Sequence, residues 1–230
     1  MVQVAWLGHS AVHVKGGGLD ILIDPFFTGN PTYPEGYADK LAKVDAIVLT
    51  HGHEDHLGDT LDLAKRFDAT LVAMYEIAMW AGGQGIEKLE PMNIGGTVAM
   101  GPAKFTMVQA LHSSAFMKDG EPVTMGDPAG YVVKIDGKSI YHLGDTELFS
   151  DMTLIQRIHQ PTLGFVPIGD RFTMGPETAA IAVNELLSLD TVIPVHWGTF
   201  DLLSGTPEQF KPLVERSKVL TPKAGELIEL

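Results

Sequence analysis

Short apolar runs alternate with polar or glycine-rich breaks along the whole chain. Residues 2–7, 11–15 and 19–23 are brief, β-branched and bounded by turn formers, so they read as strands; three glycines at 16–18 make the turn between the last two. Residues 45–49 form another such strand. Leu57, Leu61, Ala64 and Phe67 then recur near a 3.6 period, which predicts a helix over 57–67. A strand at 70–74 and a short helix at 76–81, closed by Gly82-Gly83, follow. Strands are predicted at 88–92, 97–100 and 103–111. The glycine-rich, charged stretch 116–127 reads as a loop. Residues 130–135 and 138–143 read as a hairpin over Asp136-Gly137. A helix at 151–159 stops before Pro161, and a strand at 162–168 leads into a loop at 169–175. Pro176 and Glu177 open a helix over 177–187, followed by a strand at 191–195. Thr206-Pro207-Glu208-Gln209 is a capping box that starts a helix to about residue 216. Strands at 218–220 and 226–230 close the chain. Residues 31–43, with their prolines and tyrosines, suggest a flap or a subunit contact. Strands alternating with helices give an α/β fold with mixed sheets.

Composition narrows this picture. The 230 residues suffice for one domain with a large core, so a single unit over 1–230 is expected. Hydrophobic content of 45% and charged content of 20% are ordinary for a globular protein. No apolar run reaches membrane-spanning length. Residues 1–7 lack a basic leader and run straight into a strand pattern, so no signal peptide is expected. The chain has no cysteine, which excludes disulfides, thiolate ligands and a cysteine nucleophile. A cytoplasmic enzyme is the simplest reading. Sixteen basic against 29 acidic residues leave a net charge of −13, which repels nucleic acid and anionic membranes. A small anionic substrate stays open, because bound dications would reverse the sign locally. A homo-oligomer stays open too.

The candidate chemistry is concentrated in Thr50-His51-Gly52-His53-Glu54-Asp55-His56-Leu57-Gly58-Asp59, directly after the strand at 45–49. His51 and His53 are two apart and face the same way on an extended loop, whereas the adjacent Asp55 and His56 tend to point apart. One loop can then serve two neighbouring metal ions. Neutral imidazoles and carboxylates suit zinc, and also manganese, iron or nickel. Other strand ends carry single candidates: His112, Asp145 and His196. Taken alone, each would more often be a turn residue. Asp24, before Pro25, reads equally well as a turn carboxylate or as the hydrogen-bond partner of a metal-holding imidazole.

His51-Gly52-His53-Glu54-Asp55-His56 resembles the HxHxDH signature of the metallo-β-lactamase superfamily. Leu7-Gly8-His9-Ser10 and Asp24-Pro25 resemble the opening motifs of its compact UPF0173 and ascorbate-6-phosphate-lactonase-like metal-dependent hydrolases. The resemblance covers nearly the whole chain. It implies a four-layer αββα sandwich with two divalent metal ions, zinc foremost, at one edge of the sheets. By the same resemblance His51, His53 and His112 hold one ion, Asp55, His56 and His196 the other, and Asp145 bridges them. It places Asp24 behind a ligand imidazole, and His9 beside the pocket as substrate contact or proton donor. Arg171 and Thr173 lie on a loop that could line the pocket opposite His9. His13, His142 and His159 have no place in the pattern and read as structural. Asp170-Arg171 and Asp201 depart from the family's smaller or proline residues, which bears on the substrate rather than the metals.

Paired dications lower the pKa of a shared water and clamp the attacking and leaving oxygens, so the expected nucleophile is hydroxide, oriented in part by Asp55. The expected reaction is hydrolysis of a small ester, lactone or phosphodiester. An iron-dependent redox enzyme acting on oxygen or a thiol through the same ligands is the alternative. A non-enzymatic, metal-stabilised binding module is a third reading, disfavoured because structural metal sites tend to be closed and sulfur-rich.

Overall fold

A computed structural model describes residues 1–230. The chain builds β1 (Gln3–Trp6), β2 (Val12–Gly16), β3 (Leu19–Ile23), β4 (Ala46–Val48), β5 (Thr70–Met74) and β6 (Leu89–Met92) into one sheet in that order. Between them lie α1 (Glu54–Leu57), α2 (Thr60–Phe67) and α3 (Tyr75–Gly83). A second sheet follows from β7 (Thr97–Met100) and β8 (Ala103–Gln109). A separate hairpin of β9 (Ala115–Lys118) and β10 (Glu121–Thr124) interrupts it before β11 (Ala129–Ile135) and β12 (Lys138–His142). Next come α4 (Met152–His159), β13 (Leu163–Pro167), α5 (Pro176–Ile181), β14 (Thr191–Val195), α6 (Pro207–Phe210) and β15 (Lys218–Val219). The final strand β16 (Ile228–Glu229) returns to pair with β1, so the two chain ends share the first sheet.

The pleat explains the layers. In β11, Tyr131, Val133 and Ile135 join the core between the sheets, while Val132 faces the opposite way. β13 divides likewise, with Leu163 and Phe165 inward and Val166 outward. Successive strand residues point to opposite faces, so a strand apolar at every position must be covered on both sides. Met152 and Ile155 of α4 with Ala179 and Ala180 of α5 cover the outer face of the second sheet. Leu63 and Ala64 of α2 and Ile77 and Ala81 of α3 pack on the first. This is the expected αββα arrangement.

Strand direction decides where the chemistry collects. β1 and β3 are both antiparallel to β2, and β4 is parallel to β3, so β1, β3 and β4 run the same way. β8 and β12 are both antiparallel to β11, and β12, β13 and β14 are mutually parallel, so β8, β12 and β14 share a direction too. The segments bearing His9, Asp24, the 51–56 cluster, His112, Asp145 and His196 each follow the C-terminal end of one of these six strands.

Four local expectations are corrected. Residues 116–127 are not simply a loop, because Ala115–Lys118 and Glu121–Thr124 pair as a hairpin. The helix over 57–67 is split into α1 and α2 at Gly58, where φ is 42° and a Cβ would lie 2.5 Å from the Pro25 carbonyl oxygen. Only glycine allows the Asp24-Pro25 segment to press this closely on the histidine loop. The helix from Pro176 turns into a π-type turn over Ala182–Leu186. The capping box at Thr206 holds, but α6 ends at Phe210 and tightens into a 3₁₀ turn over Lys211–Leu213, since Pro212 supplies no amide hydrogen. Residues 31–43 pack onto the chain itself: Tyr33 stacks on Phe27 at 4.4 Å and the Tyr37 hydroxyl bonds His13 Nδ1 at 2.9 Å.

Candidate metal centre

The seven candidate ligands meet at one edge of the sandwich. The Asp145 carboxylate sits at their centre, with Oδ2 2.9 Å from His196 Nε2 and 3.7 Å from His112 Nε2, and Oδ1 3.3 Å from His56 Nε2. Donor atoms fall into three tight groups. His51, His53 and His112 form one; Asp55, His56 and His196 form another together with His9; His51, His56 and Asp145 form the third. His51, His56, Asp145 and His196 are buried, while His53 and Asp55 are half-buried.

Hydrogen bonding from behind fixes which nitrogens face inward. Asp24 is fully buried and accepts from Thr50 N at 2.8 Å, Thr50 Oγ1 at 2.6 Å and His56 Nδ1 at 2.8 Å. A carboxylate only accepts, so His56 carries its hydrogen on Nδ1 and leaves Nε2 bare. Thr50 spends its hydroxyl hydrogen on Asp24, so its oxygen accepts from His51 Nδ1 at 3.0 Å, and His51 Nε2 is bare as well. One aspartate thus orients two imidazoles, directly and through a threonine. Thr50 was not singled out from the sequence; its place between a strand and a histidine cluster is the signal.

For His51, His53 and His112, electrostatics agree with lone pairs aimed at a common point, whereas His56 without an ion is held towards its charged form. Burial holds His51 well below the ordinary imidazole pKa, with His56 adding to the effect. Burial lowers His53 and His112 in the same direction. For Asp145, burial favours the neutral acid, but His196 and His56 outweigh it and keep the carboxyl well below its usual range. Burial also opposes charging His56, yet Asp145 and Asp24 raise its pKa well above the ordinary value. His56 Nε2 and Asp145 Oδ1 are buried and have no aligned hydrogen-bond partner. Buried polar atoms are rarely left so, and a cation between them, whether a proton on His56 or a metal ion displacing it, satisfies both. The donor set and these two orphaned atoms fit divalent metal ions.

His9 stands beside the cluster. Its Nε2 lies 3.0 Å from Asp55 Oδ2 and its Nδ1 2.9 Å from Thr199 Oγ1. The carboxylate takes the Nε2 hydrogen, so the threonine hydroxyl donates to Nδ1. Burial and the nearby His196 lower the His9 pKa to about 4, and the ring is neutral near pH 7. A cavity of about 600 Å³ opens next to it, walled by Phe26, Phe116, Met117, Pro122 and Phe200 on one side and by His53, Glu54 and Asp55 on the other. Arg171 and Thr173 are not among its lining residues. The Arg171 guanidinium lies 5.6 Å from the Phe172 ring, and Thr173 Oγ1 donates to the Met174 carbonyl. The neighbouring Asp170 accepts from Ser204 Oγ at 2.9 Å, tying this loop to the one after β14. Asp59 was also missed from the sequence: it accepts from Phe27 N, Thr28 N and Thr28 Oγ1 and pins the 24–30 segment to the cluster. The histidines set aside as structural bond to protein groups, His13 to Asp20 and Tyr37 and His142 to the Ser10 carbonyl.

Two sheets packed face to face between helices, with a His/Asp cluster where their strands end, define a metal-dependent hydrolase of the metallo-β-lactamase class. Residues 20–197 match the model of the beta-lactamase superfamily domain, and the chain belongs to that family. A UPF0173 metal-dependent hydrolase from Chelativorans sp. (strain BNC1) is 47% identical, with 100% of both chains covered. Another from Methanopyrus kandleri is 48% identical, covering 93% of this chain and 92% of that one. Among solved structures, Igni18, a metallo hydrolase from the archaeon Ignicoccus hospitalis, superposes with a TM-score of 0.86 at 34% identity, over 99% of this chain and 97% of that one. No helix is long and apolar enough to cross a membrane.

Proposed function

We propose that residues 1–230 act as one dinuclear metal-dependent hydrolase domain, cleaving a small ester, lactone or phosphodiester in the cytoplasm. In this reading His51, His53 and His112 hold one divalent ion and Asp55, His56 and His196 the other, with Asp145 shared between them. Zinc is the first expectation from the imidazole and carboxylate donors, with manganese, iron and nickel as the other candidates. The observation that carries the reading is the Asp145 carboxylate, which lies within 3.7 Å of histidines from three separate strand ends. Two ions at such a site supply Lewis acidity and bring water within reach of deprotonation near neutral pH. The protein's own part is positioning. Asp24 and Thr50 hold His51 and His56 with their Nε2 atoms inward. Asp55, held by His9, presents an acceptor that can orient the attacking water. His9 sits behind Asp55 and donates its Nε2 hydrogen to that carboxylate, so a proton released by the attacking water could be taken up by the Asp55–His9 pair and returned to the leaving group, or His9 could contact the substrate where that bond opens.

Elemental analysis of the purified protein and of Asp145→Ala tests the proposal. Near two zinc or manganese per chain, falling in the variant, supports it. One iron per chain would favour redox chemistry. No metal in chelator-free preparations, and none after incubation with metal salts, overturns it.

A further inference from the structure

Resting on that reading, we infer that the substrate is an uncharged ester or lactone whose acyl or aryl group is apolar, and that the β9–β10 hairpin supplies the wall that receives it. Apart from His53, Glu54 and Asp55, the cavity beside the cluster is lined by carbon surface. Phe116 and Met117 come from β9 and Pro122 from β10; Phe26 follows β3 and Phe200 follows β14. Phe26 and Phe200 each present an edge to His9, with ring centroids 5.8 and 5.5 Å away, so the apolar wall is continuous with the chemistry. Phe116 packs against Trp80 with ring centroids 5.1 Å apart, which seats the hairpin on α3. Met117 is 53% exposed and Phe200 39%. Large apolar side chains left open beside a polar cluster mark a binding surface rather than a core.

Charge sets the other half of the inference. No lysine or arginine lines the cavity, and its only charged residues are Asp55 and Glu54. Ions held at the cluster would receive the charge of the group being cleaved, but a further anionic group, as on a sugar-phosphate lactone, would lie beside Glu54 with no lysine or arginine on the wall to receive it. An apolar group instead gains from leaving water, by roughly fourfold in affinity per methylene buried. A volume of about 600 Å³ is within the usual range for small-molecule pockets.

The test compares kcat/KM of the metal-loaded protein on the p-nitrophenyl esters of acetate and hexanoate, on a neutral medium-chain lactone, and on bis(p-nitrophenyl) phosphate. The expected result is a hexanoate-to-acetate ratio of at least about tenfold, given four added methylenes that are partly buried. In Met117→Lys that ratio should collapse toward one. A phosphodiester turned over faster than the hexanoate ester, or a ratio near one in both proteins, overturns the apolar subsite while leaving the hydrolase reading intact. If none of these compounds is cleaved after loading with zinc, manganese or iron, the hydrolase reading falls. The subsite is then judged by calorimetric titration with the uncleavable N-butylhexanamide. Saturable binding that Met117→Lys abolishes supports it, and absence of binding to the unaltered protein overturns it.

Discussion

Asp24 is the residue whose replacement says most about how the centre is assembled. Asn at this position has nearly the same shape but offers one acceptor oxygen and one donor nitrogen. Three hydrogens now converge on the carboxylate, from Thr50 N, Thr50 Oγ1 and His56 Nδ1. If the Asn oxygen keeps Thr50 N, its NH₂ faces Thr50 Oγ1 and His56 Nδ1. His56 must then accept on Nδ1 and carry its hydrogen on Nε2, the atom that lies 3.3 Å from Asp145 Oδ1. A hydrogen on Nε2 removes that imidazole from the donor set. If the amide turns the other way, its NH₂ opposes Thr50 N–H and the loop loses its anchor. Residues behind a metal ligand typically control affinity by 10–100-fold, so Asp24→Asn should cost about 1.4–2.7 kcal/mol of metal binding. Loss of buried bonds to a charged group should also lower stability, by up to about 3 kcal/mol. The assay is competition for zinc between the metal-stripped protein and a chromophoric chelator, with thermal unfolding followed by circular dichroism as a check of folding. A folded Asp24→Asn protein that binds zinc as tightly as the unaltered chain would refute the tautomer argument.

Other perturbations reach different parts of the molecule. Gly58→Ala places a Cβ 2.5 Å from the Pro25 carbonyl oxygen at a φ of 42°, and should destabilise by at least about 2 kcal/mol and lower metal content, checked by urea unfolding and elemental analysis. His13 is buried, and burial lowers its pKa to about 4. Between pH 6.5 and 4 the unfolded chain therefore binds the extra proton, and the stability present above pH 6.5 is lost as pH falls toward 4. From pH 7 to pH 5 the loss from this residue should be about 2 kcal/mol, visible as a pH slope in urea unfolding that His13→Gln reduces. The Tyr141 hydroxyl is buried without a partner, so Tyr141→Phe should leave stability unchanged or raise it by up to about 1 kcal/mol, measured as a Tm increase of no more than a few degrees.

Much of this architecture was legible in the residues, and the exceptions have physical causes. Apolar runs such as 163–167 marked strands and Asp136-Gly137 the β11–β12 turn, which gave an α/β fold with mixed sheets, while the four layers came from the family resemblance. The 51–56 cluster was legible because spacing along one loop is a local property, whereas His112, Asp145 and His196 stood out as a set only through the family resemblance, since a single residue after an apolar run is usually a turn residue. The β9–β10 hairpin was missed because its residues are mostly exposed and its pairing has no buried face to impose an alternating pattern. Arg171 and Thr173 were placed in the pocket from their loop alone, whereas the direction of a loop side chain depends on backbone angles the residue types do not announce; Arg171 has φ 52°. Phe26, Phe116 and Phe200 are far apart in sequence, and nothing in any one of them shows that they share a wall.

Backbone conformation ties these pieces into one argument about preorganisation. His9, Asp24 and His196 all have positive φ, at 52°, 47° and 55°. This region is disfavoured for residues with a side chain, and each such position costs about 1 kcal/mol or more. The surroundings hold all three there. The His9 carbonyl accepts from Trp6 Nε1 at 2.8 Å and from His196 N at 3.0 Å, which links the two sheets through two residues of the cluster. Trp6 in turn stacks on Trp197 at 5.1 Å, fixing the turn that carries His196. Asp24 is bound by its own three acceptor contacts. Relaxing His196 would swing its imidazole away from Asp145 and break its bond to His9 between the sheets, relaxing His9 would part its ring from Asp55, and relaxing Asp24 would release Thr50 and His56. The strain is therefore offset by the packing of the whole sandwich, and the donor atoms stand in place before an ion arrives.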